Sequence, residues 1–106
     1  MPNFLLLYTG GTEPASEAEG AAVMKAWTDW FTNLGPAVVD GGNPIGQTAK
    51  TVSSGGRVSD GNAGLDVTGY SILKAGSLDE ATRMATRCPH LDAGGKVTVL
   101  ETYPVM

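Results

Sequence analysis

The chain has 106 residues, 42% of them hydrophobic and 17% charged, with a formal net charge of −4. That is enough apolar material for one core, in a single domain spanning 1–106, and too little charge for a disordered chain. Its seven basic residues are scattered from Lys25 to Lys96. No positive stripe exists to neutralise phosphates, which argues against nucleic acid and against an anionic membrane surface as partners.

In chain order, residues 4–9 form a short apolar run before Gly10-Gly11 and read as a strand. Phe4, Leu6 and Tyr8 fall on one side and Leu5 and Leu7 on the other, so both faces need cover. The run is short, has no basic residues before it and is read as a strand rather than a signal peptide. No apolar stretch approaches the ~20 residues that span a bilayer. One cysteine, Cys88, makes no internal disulfide and agrees with a reducing, cytoplasmic location.

Ser16-Glu17-Ala18-Glu19 has the form of a capping box and opens a helix that Gly35-Pro36 stops. Val23, Trp27, Trp30, Phe31 and Leu34 recur at helical spacing, which places both tryptophans toward the core. Residues 37–39 are a second strand, ending in Asp40-Gly41-Gly42-Asn43-Pro44. Residues 48–53 and 57–59 alternate around Ser54-Gly55-Gly56 as a polar hairpin. Residues 68–74 form another core strand. Ser77-Leu78-Asp79-Glu80 repeats the capping-box form, and its helix is expected to run to Cys88, with Leu78, Ala81, Ala85 and Cys88 on the sheet-facing stripe. Pro89 stops it, His90 is expected in a solvated loop, and residues 96–102 are the last strand.

With the hairpin set aside, the order is β-α-β-β-α-β, the ferredoxin-like split pattern: an α+β fold whose four-stranded antiparallel sheet carries both helices on one face. The other face is left bare and apolar. Such a face calls for a partner, and the simplest is a second copy packed sheet against sheet as a homodimer.

The motifs that carry a family likeness run nearly the whole length: "FLLLY", "WTDWFTNLG", "VVDGGNP", "KTVSSGGRVSDG", "GYSILKAGSLDEA", Cys-Pro, and "GGKVTVLETYPV". On these the chain resembles the YCII-related family, in its DGPF-type branch. The resemblance implies a ferredoxin-like dimeric α+β barrel. The branch's Asp-Gly-Pro-Phe stands here as Asp60-Gly61-Asn62-Ala63. Some YCII-type members pair a first-helix His with an Asp; the corresponding register here holds Met24 or Lys25, so that dyad is not carried over.

The remaining chemistry is sparse. A single histidine, with no cysteine pair and no His-x-x-x-His spacing, gives no metal site, and no cofactor motif is present. Acid–base work, if the chain does any, falls to Asp40, Asp60 or His90. Asp-Gly steps are also ordinary turn chemistry. Tyr8, Trp27, Asn43 and Tyr70 are the candidate ligand-binding residues. The expected function is binding of a small organic molecule in a cleft between the sheet and the first helix. The alternatives are an enzyme acting on a small organic substrate and an interaction or regulatory dimer.

Overall fold

The computed structural model describes residues 1–105. Strand β1 (Asn3–Gly10) alternates: Phe4, Leu6 and Tyr8 are buried while Leu5, Leu7 and Thr9 are only half-buried. That is the two-residue period of a strand with two unlike faces. Helix α1 (Glu17–Leu34) starts where the capping box places it, with Ser16 Oγ accepting from Glu19 N at 3.1 Å. The Glu19 carboxylate reaches back to the Ala15 N–H, one residue earlier than the usual reciprocal bond. A one-turn 3-10 helix, Gly35–Ala37, leads to the short strand β2 (Val38–Asp40).

The polar hairpin is β3 (Lys50–Ser53) and β4 (Arg57–Asp60), paired antiparallel with Val52 opposite Val58. Strand β5 (Val67–Lys74) returns through the sheet. Helix α2 (Leu78–Ala85) follows, with Ser77 Oγ accepting from Glu80 N. A 3-10 turn, Pro89–Ala93, then leads to β6 (Gly95–Glu101).

Over the described residues the fold is α+β: two α-helices, a four-stranded antiparallel sheet in the order β2-β5-β1-β6, and a separate two-stranded sheet β3-β4. Both helices lie on the Phe4–Leu6–Tyr8 side. The core is Phe4, Leu6 and Leu73 beneath Trp30, Ala81, Ala85 and Cys88. Leu5, Leu7, Ile72 and Leu100 share the opposite face through the registers Leu5↔Ile72 and Leu5↔Leu100, and Leu100 is exposed. Among the described residues no helix is long and apolar enough to cross a membrane.

Two expectations about α2 are corrected. The helix ends at Ala85, three residues early, because Pro89 holds Cys88 in an extended conformation (φ −65°, ψ 131°) that a helix cannot use. Leu78, at the first turn, lies outside the packed layer and is exposed, whereas Ala81, Ala85 and Cys88 are buried as the stripe predicts.

The chain is flat, with extents of 45 × 40 × 18 Å, the thinnest no more than one helix layer on one sheet. Its radius of gyration is 15.5 Å, against roughly 13 Å for a compact chain of this length. The hairpin accounts for the spread, because its extensive contacts are between its own two strands.

Candidate functional site

A cleft of about 370 Å³ opens between α1 and the edge of the sheet where β2 ends. Trp27 and Phe31, four residues apart on α1, form one wall, and Tyr8 from β1 forms the floor. The Trp27 and Tyr8 rings meet edge to face at 5.2 Å, and Trp27 and Phe31 lie 5.7 Å apart. Trp30 turns inward instead, buried, with its indole N–H donating to Met84 O at 3.2 Å. The two tryptophans therefore divide the labour that the helical pattern gave to both: Trp30 fills the core, and half-buried Trp27 packs against it and faces the cleft.

The opposite wall is the segment 41–44. Asn43 O accepts from Tyr70 N at 3.3 Å, and Pro44 bridges to Gly69. Gly42, at φ 77°, crosses so close to the Tyr70 carbonyl that a Cβ there would collide with it. Only glycine permits this approach.

His90 closes the end of the cleft, and it is not the solvated loop residue expected. Its ring lies in a slot between Gly11 and Gly95, where a Cβ on either glycine would run into the imidazole, and it tilts against Tyr8 at 5.4 Å. Nε2 sits 2.9 Å from Thr9 O. A carbonyl only accepts, so Nε2 carries a hydrogen, and in the neutral ring Nδ1 is left as an acceptor.

Beneath the cleft runs a buried polar chain. Tyr8 Oη–H donates to Ser71 Oγ at 2.6 Å, and Ser71 Oγ–H donates to Gly41 O at 2.7 Å. Burial pushes the Tyr8 phenol well above its ordinary range and outweighs its hydrogen bond with Ser71, so Tyr8 acts as a neutral donor. Burial likewise pushes the Cys88 thiol up to about 11, although the His90 backbone N–H favours the thiolate. Such a thiol is a packing group rather than a nucleophile.

Of the candidate residues, Tyr8, Trp27, Asn43, Tyr70 and His90 all line one cleft, but the register Leu7↔Tyr70 turns the Tyr70 side chain, and with it the Asn43 amide that meets its hydroxyl, toward the open face. The structure does not bring Asp40 or Asp60 there. Asp40 Oδ1 accepts from Gly42 N at 2.8 Å, a turn closed by its own side chain. Asp60 lies on the hairpin, paired with Lys50. The sequence reading missed Phe31 as a cleft residue, although its position four after Trp27 puts both on the same helix face. It also missed Met24, Thr68 and Gly69.

A larger hollow of about 670 Å³ lies between α1 and α2, lined by Asp29, Glu80, Arg83 and Arg87 among others. It is a wide groove edged with charges of both signs; buried Trp30 is among its lining residues, but the groove lacks the aromatic cluster of the smaller cleft. Among the described residues no group of three or more His, Cys, Asp or Glu side chains stands close enough to hold a metal ion. Compared with known proteins, the chain matches no family model and no curated relative.

Proposed function

We propose that the chain is a YCII-related dimer that binds a small organic molecule in the cleft between α1 and the sheet. The observation that carries this reading is the convergence of Tyr8, Trp27, Phe31 and His90 on one concave, largely aromatic surface whose opposite wall is the segment 41–44. Such a surface with a few polar groups is the usual form of a small-molecule site, and its volume falls within the common range. With the hairpin set aside, the strand order β2-β5-β1-β6 with both helices on one face supports the ferredoxin-like topology of that family.

Dimerisation through the open sheet face is supported by its apolar residues and by surface area. The isolated chain exposes 7446 Å², roughly 1,900 Å² more than a compact chain of its mass. An obligate dimer removes on the order of 1,000 Å² or more from each partner. Light scattering at micromolar concentration is expected to give twice 10.9 kDa; a monomeric particle would remove the dimer. For the cleft, a fragment panel followed by protein-observed NMR is expected to move the Trp27 indole signal, and a silent panel would remove the small-molecule reading.

An acid–base enzyme is the second reading, and His90 is the observation in its favour: it is held in place with Nδ1 unpartnered within the described residues. Neither aspartate stands in the cleft to assist it.

A further inference from the structure

We propose that the cleft takes an uncharged aromatic molecule of one or two rings that carries a hydroxyl. The proposal rests on the small-molecule reading above and narrows its ligand. Charge decides first. No Asp, Glu, Lys or Arg lines the cleft, so an ion entering it would leave water without a countercharge. A second hollow of about 460 Å³ adjoins it, sharing Trp27 and His90, and is edged by Glu13, Glu19 and Asp92 without a Lys or Arg. That acidic edge further disfavours an anion. Shape decides next. Trp27 stands 5.2 Å from the Tyr8 ring and 5.7 Å from Phe31, and the three offer faces and edges for another ring to pack against. A volume of about 370 Å³ is near the lower end for ligand sites and suits one or two rings.

The hydroxyl follows from which polar side-chain groups are still free. Most are spent inside the protein. Tyr8 Oη–H is given to Ser71, Thr68 Oγ1–H to Tyr8 O, and the N–H of His90 Nε2 to Thr9 O. The Tyr70 hydroxyl and the Asn43 amide that meets it lie toward the open sheet face. Two groups remain among the cleft's side chains: the Trp27 indole N–H, a donor, and His90 Nδ1, an acceptor. Among the described residues every buried side-chain nitrogen and oxygen has a hydrogen-bond partner. These two have none, so both reach solvent. Their rings pack against the same Tyr8 ring, at 5.2 and 5.4 Å. A hydroxyl holds the matching pair in one group: a hydrogen for His90 Nδ1 and lone pairs for the Trp27 N–H.

The test uses four probes on one ring system. 2-Naphthol both donates and accepts, 2-methoxynaphthalene only accepts, naphthalene does neither, and 2-naphthoate is charged. Affinities come from titrations followed by the backbone amide signals of Gly41, Gly42 and Gly69, which every variant keeps. For the wild-type chain naphthol is expected to bind about fivefold tighter than methoxynaphthalene, and methoxynaphthalene about fivefold tighter than naphthalene, one neutral hydrogen bond for each step. Naphthoate is expected to bind at least about tenfold weaker than naphthol. Two variants assign the steps. His90→Gln keeps a donor for Thr9 O but places no atom at Nδ1, and is expected to erase the preference for naphthol over methoxynaphthalene. Trp27→Phe keeps the aromatic wall but loses the N–H, and is expected to erase the preference for methoxynaphthalene over naphthalene. In the wild-type chain naphthol, and not methoxynaphthalene, is expected to move the His90 ring nitrogen signals, a readout that needs no variant to fold. Equal wild-type affinity for naphthol and methoxynaphthalene, or naphthoate bound as tightly as naphthol, would overturn the ligand class and leave the small-molecule reading standing. So would a cleft silent to all four probes that still answers to other fragments. Silence to the whole fragment panel removes both.

Discussion

The two faces of the four-stranded sheet are built from the same strands and by neighbouring residues, yet they differ in kind. Toward the helices, Phe4, Leu6 and Leu73 are wholly buried and Ser71 is fully satisfied by two hydrogen bonds. On the other side, Leu5, Leu7 and Ile72 are half-buried and Leu100 is exposed. Both faces are apolar, so hydrophobicity alone does not tell them apart. What separates them is whether the chain itself supplies the cover. The covered face is the fold's own core, and the open face is apolar surface that the chain's own helices leave uncovered.

Adjacent leucines make the sharpest test. Leu6→Ala empties a fully buried site and is expected to cost about 3–5 kcal/mol in denaturant unfolding. Leu7→Ala, one residue on and on the opposite face, is expected to cost less than about 1 kcal/mol at protein concentrations where the chain is monomeric. Its effect should grow with concentration as dimer linkage enters. Equal losses at every concentration would erase the distinction between the faces.

A smaller effect probes the polar chain under the cleft. Ser71→Ala leaves the Tyr8 hydroxyl without its acceptor and the Gly41 carbonyl without its donor, both at buried or part-buried positions. The expected cost is about 2 kcal/mol, the desolvation of groups left unpaired. It should also loosen segment 41–44 and weaken probe binding in the cleft. A loss below about 0.5 kcal/mol would mean that water replaces the hydroxyl and that the chain contributes nothing to the site.

Much of this architecture is legible in the sequence because it is local. The capping boxes at Ser16 and Ser77, the two-residue period of residues 4–8 and the Gly55-Gly56 hairpin turn each depend on residues within one turn of one another. The site is less legible because its determinants are distant. His90 reads as a loop residue until Gly11, 79 positions earlier, and Gly95 are seen to form its slot. The Tyr8–Ser71 bond spans 63 positions and follows from strand register. The separation of Trp27 from Trp30 depends on where α2 lies, which no periodicity along α1 contains.

The smallest expected effect concerns Cys88, on the covered face. Its thiol is buried and pushed up from 9.0 to about 11. Below pH 9 the thiol is protonated in both folded and unfolded chains, and burial is compatible with both. Between about 9 and 11 the unfolded thiol gives up its proton while the folded one keeps it. The folded state then binds more protons than the unfolded, so stability falls as pH rises through this window. The expected loss is up to about 3 kcal/mol. The buried Tyr8 phenol acts in the same direction at still higher pH. Cys88→Ala separates the two contributions. At neutral pH it removes only one small apolar atom and is expected to cost about 1 kcal/mol or less. Between pH 9 and 11 the variant should lose less stability than the parent, so their unfolding curves converge. Parallel curves across that window, or rapid labelling of the native thiol near neutral pH, would show that Cys88 reaches solvent and that the covered face is looser at its α2 end than at Phe4 and Leu6.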